Sequence, residues 1–114
     1  MVCAMLLSAD IWVGALIRRV EIGGGFAVVV RKGDPRAGAV LVKILNRSDG
    51  TARLLAEATR GDGDRIWMQP VASTAEPDLD RYIERAVRID PDVWVVEIED
   101  REGRHFLVEP VEKG

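Results

Sequence analysis

The stretch Arg88-Ile-Asp-Pro-Asp-Val-Trp-Val-Val-Glu-Ile-Glu-Asp-Arg-Glu-Gly-Arg-His-Phe-Leu-Val108 decides how this chain folds. Asp90-Pro91 breaks a preceding helix, because the residue before proline avoids helical backbone angles. Residues 93–100 then alternate as a strand. Trp94, Val96 and Ile98 share one face; Val93, Val95, Glu97 and Glu99 share the other. So apolar a strand belongs in or beside the centre of a sheet. Arg101-Glu-Gly-Arg104 reads as a turn, and residues 105–109 as a return strand before a polar tail.

Upstream, Leu79, Tyr82, Ile83 and Ala86 recur at helical spacing, with Pro77 suited to the first turn and Thr74 or Glu76 to the cap. Asp80, Arg81, Glu84, Arg85 and Arg88 are expected on the solvated side of this helix. A second helix is expected near the start. Ser8-Ala-Asp10 can cap it, Trp12, Ala15, Leu16 and Val20 form its apolar stripe, and Gly23-Gly24-Gly25 ends it. The triple glycine is no phosphate loop, since helix precedes it and strand follows.

Between the helices, residues 26–32 read as a strand buried on both faces, residues 39–46 and 51–58 as strands joined at Asp49-Gly50, and residues 65–69 as a short strand stopped by Pro70. Thr59-Arg-Gly-Asp-Gly-Asp64 lacks the further ligands and terminal Glu of a calcium loop and reads as a hairpin turn. The expected class is α+β, an α/β sandwich of two or three layers. Its sheet is mixed, mainly antiparallel and of about five strands, with two helices in the order α-β-β-β-β-α-β-β, and residues 1–114 form a single domain. Strands one to four are expected to form a meander of hairpins.

The 114 residues are 47% hydrophobic and 31% charged, an ordinary globular balance. Residues 1–57 carry eight basic and five acidic side chains, and residues 58–114 carry eight and fourteen. This balance argues against nucleic acid as a partner. The single cysteine, Cys3, excludes an internal disulfide and a cysteine zinc cluster. The apolar runs at residues 1–7 and 11–17 are far shorter than the roughly 20 residues of a bilayer span. The expectation is a cytoplasmic protein with no export signal, no membrane partner and no cofactor.

Few residues carry chemistry. Lys43 sits between Leu41 and Leu45 on one strand face and should extend along the sheet to water; a catalytic lysine is the alternative. Glu97 and Glu99, about 7 Å apart on one strand face, are weak candidate Mg²⁺ ligands. His105, the sole histidine, is a weak candidate base.

The runs Tyr82-Ile-Glu-Arg and Asp90 to Leu107, with the early Ile11-Trp-Val and Phe26-Ala-Val-Val-Val-Arg, resemble the alphaproteobacterial domain of unknown function 1491 family. The resemblance covers nearly the whole chain. It implies a bacterial, single-domain α/β protein and supplies no catalytic residues.

The expected function is a non-catalytic binding or assembly protein, as a homodimer or with another protein partner. No nucleophile–base pair, metal cluster or phosphate loop stands out, and three tryptophans offer contact surface. The alternative is a metal-dependent hydrolase acting on phosphodiesters, with Lys43, Glu97, Glu99 and His105 as its machinery. Element order loosely resembles restriction-type nucleases, but their acid-x-lysine motif is missing: Leu41 stands two before Lys43.

Overall fold

The structure, a computed structural model, describes residues 8–113. Residues 1–7, read above as neither signal nor span, lie outside the described residues, as does Cys3. Helix α1 is Ala9–Ile22, followed by strands β1 (Phe26–Arg31), β2 (Val40–Asn46), β3 (Ala52–Thr59) and β4 (Arg65–Gln69). Helix α2 (Glu76–Ile89), β5 (Trp94–Asp100) and β6 (Val111–Lys113) complete the chain. The class and element order match expectation. The sheet has six strands rather than five, in the order β1-β5-β2-β3-β4-β6. Pairs β1–β5, β2–β3 and β3–β4 are antiparallel, while β2–β5 and β4–β6 are parallel. Among the described residues no helix is long and apolar enough to cross a membrane.

The two faces follow the strand alternation. Trp94, Val96 and Ile98 of β5, with Val40, Val42 and Ile44 of β2, pack against Trp12, Val13, Leu16 and Val20 of α1. Val93, Val95 and Leu41 pack on the other face under Leu79, Tyr82, Ile83 and Ala86 of α2. Trp12 and Trp67 stack with ring centroids 5.4 Å apart. All three tryptophans are buried, so they form core rather than contact surface. The triple glycine does end α1: Gly25 N–H reaches the Val20 carbonyl, and Gly24 adopts φ +92°. Helix α2 has Ala75 at its N-cap and no side-chain cap, where Thr74 or Glu76 was expected. The Ser73 hydroxyl accepts from Ala75 N–H and donates to Asp78.

Three expectations fail for one physical reason: β5 has a hydrogen-bonded neighbour on both edges. First, β1 and β2 do not form a hairpin, because β5 lies between them. The connection at residues 32–39 folds around the start of β5. Asp34 N–H donates to Asp92 O (2.9 Å), Trp94 N–H to Ala39 O (2.8 Å) and Trp94 Nε1 to Asp34 O (2.8 Å). A Cβ on Gly33 or Gly38 would stand 2.2 Å from Asp92 O, so only glycine admits this approach. Second, β1 is an edge strand rather than one buried on both faces, and Phe26, Val28 and Val30 are 57%, 42% and 58% exposed.

Third, residues 105–109 do not return beside β5, where no edge remains. The buried Asp100 carboxylate instead gathers the following turn. It accepts from the backbone N–H groups of Glu102 (3.0 Å) and Arg104 (2.9 Å) and from the Arg104 guanidinium (2.9 and 3.1 Å). The chain then crosses the end of the sheet, seats Leu107 in the α1-side core and adds Val111–Lys113 beside β4.

Asp100 thus fixes the direction that the chain takes after β5. Its hydrogen bonds with Arg104 hold its pKa well below the usual carboxylate range against the opposing effect of burial, helped by the N–H groups of Arg104 and Glu102. The folded pKa lies below the unfolded one. The stabilisation is therefore complete above the ordinary carboxylate pKa and is lost as pH falls through the folded value. Asp100→Asn is expected to lower stability by roughly 2–4 kcal/mol in urea titrations. It should also speed hydrogen exchange in β6 more than in β2.

Candidate functional site

Strand β2 projects Lys43 onto the α2 face, where parallel pairing places it directly beside Glu97 of β5. The residue is only 6% exposed, so it does not extend to water. Its ammonium donates to Glu76 and Asp80, both at 2.8 Å, and lies 3.3 Å from Glu97. Glu76 and Asp80 stand one helical turn apart at the start of α2, so both carboxylates reach the same ammonium. Burial works to lower the Lys43 pKa. The hydrogen bonds that it donates to Asp80 and Glu76, with the Glu97 charge, outweigh it and raise the pKa above the ordinary lysine value. A lysine nucleophile or base needs the reverse shift. This geometry makes Lys43 a structural cation that ties α2 to the sheet.

Glu76 and Asp80 escaped the sequence reading. Asp80 was assigned to the solvated side of α2, yet it borders the apolar stripe. The available signal was the pair of acids four residues apart ahead of a strand lysine flanked by leucines.

Of the remaining candidates, Glu97 alone joins this cluster. Glu97 is engaged by Lys43. Glu99 lies further along β5, beside Phe26 and Leu45 in register. His105 belongs to the chain segment that crosses the end of the sheet, next to Arg53, whose register partner Ile44 faces α1. Lys43 and Glu97 come together; Glu99 and His105 stand apart from them. Among the described residues no three His, Cys, Asp or Glu side chains are arranged to hold a metal ion. Glu97, offered above as a metal ligand, has an ammonium on it instead.

His105 has its own setting. Its Nδ1 accepts from Leu107 N–H at 2.8 Å, which places the proton of the neutral ring on Nε2. Burial first, and then the Arg53 charge, hold its pKa below the ordinary histidine value. The next residue, Phe106, has φ +61°, the only positive φ outside glycine among the described residues. For a bulky side chain that backbone is strained by about 1–3 kcal/mol.

The family model described as a protein of unknown function, DUF1491, matches residues 7–108. The chain belongs to this family. The resemblance drawn from the stretch Asp90 to Leu107 was therefore sound. Among solved structures, a crystal structure of a DUF1491 family protein from Caulobacter crescentus CB15 is 77% identical. It covers 94% of this chain and 100% of its own, with TM-score 0.92. An NMR structure of a DUF1491 family protein from the same organism is also 77% identical, covers 94% and 97%, and has TM-score 0.89. The solution structure of protein Atu0922 from A. tumefaciens is 35% identical, covers 91% and 94%, and has TM-score 0.78. No curated protein matches the chain.

In this DUF1491 member the Lys43 cluster should act on stability. Lys43→Ala leaves three carboxylates facing one another and a cavity beneath α2, so chemical denaturation should show a loss of roughly 2–4 kcal/mol. Glu97→Gln should lose less, about 1 kcal/mol. The Lys43 pKa is higher folded than unfolded. Its stabilisation is fully present below the ordinary lysine pKa and disappears only as pH rises through the folded value. The wild type should therefore lose stability on alkaline titration in a way that Lys43→Ala does not.

Proposed function

We propose that this chain is a non-catalytic binding and assembly protein that works as a homodimer, with β1 as the contact between copies. The observation that carries this reading is the apolar edge of the sheet. Phe26 and Val28 lie on the α2 face, as their register partners Glu99 and Glu97 do, and Val30 follows at the bulge before Arg31. All three are exposed. Natural edge strands are usually blunted by charge, proline or cover. This one presents a row of large apolar side chains beside unpaired backbone.

A second copy fits that row. Antiparallel pairing about a two-fold axis through Val28 sets Phe26 of one copy across from Val30 of the other, and Ala27 across from Val29. The apolar row is thus complementary to itself, which a two-fold contact requires. The same pairing brings the basic end of the strand, at Arg31 and Lys32, toward the acidic end where Glu99 flanks Phe26. The Lys43 cluster supports a non-catalytic reading, because its one buried amine is held protonated by three carboxylates.

Light scattering on the intact chain should return twice the 12.6 kDa chain mass across the micromolar range. Val28→Lys places a charge at the symmetry axis and should shift the population to monomer with an unchanged circular dichroism spectrum. A wild type that stays monomeric at high concentration overturns the homodimer and leaves β1 to another protein.

A further inference from the structure

We propose that the cleft between Arg53 and His105 binds a small phosphate-type oxyanion, either inorganic phosphate or the phosphomonoester of a small metabolite. The cleft measures about 530 Å³ and is lined by Arg53, Glu102, Gly103, Arg104, His105 and Phe106. It lies on the α1 side, distinct from both the Lys43 cluster and the apolar row of β1, and does not depend on dimer formation.

Two hydrogen-bond donors from separate parts of the fold line it. Arg53 is the second residue of β3 and lies on the face of its register partner Ile44. Among the described residues its guanidinium has no carboxylate partner and makes one hydrogen bond, from Nη2 to the Gly103 carbonyl at 3.3 Å. That contact anchors one arm of the guanidinium and leaves its other donors for a ligand. Three other charged side chains of the sheet have an opposite charge beside them: Asp100 has Arg104, Glu57 has Arg65, and Lys43 has its three acids. The Arg53 guanidinium meets a carbonyl instead.

His105 supplies the second donor. The Leu107 N–H on Nδ1 leaves Nε2–H as the donor of the uncharged ring. This imidazole lines the same cleft as the Arg53 guanidinium, and the residue that follows it is held at φ +61°. An arginine fork with a neutral N–H donor suits the several acceptor oxygens of a phosphate.

The remaining charges at the site are accounted for. Arg104 is committed to Asp100 (2.9 Å), to the Gly23 carbonyl (3.0 Å) and to the Phe106 ring (4.8 Å). Its charge is balanced by Asp100. Glu102 is the single acid of the lining; its side chain is 71% exposed and lies 3.6 Å from Arg104. An incoming anion therefore meets Arg53 and His105 as the unsatisfied pair.

His105 is the only histidine, so one imidazole signal reports on the site. Inorganic phosphate is titrated into the full-length chain at constant ionic strength, and the imidazole resonances are followed by NMR. The expected result is a saturable shift with a rise in the His105 pKa, because the anion stabilises the imidazolium. Sodium chloride at matched ionic strength should give neither. Arg53→Gln should weaken phosphate binding at least about tenfold, with Arg53→Lys intermediate. Ribose 5-phosphate, run in parallel, separates the two sources: tighter binding than phosphate assigns the site to a phosphomonoester, and equal or weaker binding to the free ion. A non-saturating shift shared with chloride, or an unchanged affinity in both Arg53 variants, overturns the proposal. Should Arg53→Gln fail to fold, Arg53→Lys and the chloride comparison still decide.

Discussion

The hydrogen bonding of β5 on both edges is the constraint on which the rest of the molecule depends. A strand with Trp94, Val95, Val96 and Ile98 buried gains most by lying inside a sheet. Here it pairs with β1 on one side and β2 on the other. Three consequences follow without further assumption. The chain between β1 and β2 must pass around the start of β5, so Gly33 and Gly38 meet Asp92 at a distance that no other residue tolerates. Strand β1 is left at the edge. The chain after β5 cannot fold back beside it and must cross to β4.

The two buried charges serve that topology from opposite sides. Lys43 gathers Glu76 and Asp80 from the first turns of α2 and so sets where the helix lies over β2 and β3. Asp100 gathers Glu102 and Arg104 and so sets the direction in which the chain leaves β5. Each group would be costly to bury alone, and each is surrounded by opposite charge or donated hydrogen bonds. The partners come from segments distant in sequence or bent by the contact itself. The charges therefore specify position as well as adding stability.

Much of this was legible in the residues, and the failures share a cause. Helix α2 could be read from Leu79, Tyr82, Ile83 and Ala86, and the faces of β2 and β5 from strict alternation, because local periodicity records which side is buried. Strand neighbours leave no such record. The run Phe26–Arg31 is as β-branched as an interior strand, yet its place at the edge depends on a strand sixty residues later taking the interior. Residues 105–109 carry an apolar run, Phe106 to Val108, that suits a strand, but no unpaired edge was left beside β5. At the candidate sites, Lys43 could be marked as anomalous between two leucines, but its partners Glu76 and Asp80 are brought there by the docking of α2. Arg53 gave no signal at all, since an alternating charged residue on a strand looks solvated until the crossing segment sets His105 beside it.

The open edge is itself a consequence of proportion. Six strands about 4.8 Å apart span roughly 24 Å between the outermost axes, while one helix with its side chains is about 10–12 Å across. A single helix on each face therefore covers about half of the sheet. On the α1 side the shortfall is filled by Phe106 and Leu107 from the crossing segment and Val111 of β6, together with the stacked Trp12 and Trp67. On the α2 side the helix is seated over β2 and β3 by Lys43, and nothing comparable reaches β1 among the described residues. A sequence selected only for a solitary fold would blunt that strip with lysine or glutamate, at little loss of stability. Phenylalanine and two valines stand there instead. On the homodimer proposed above, this strip is where the second copy packs, and it is open because a single helix cannot cover the α2 side of the sheet as far as β1.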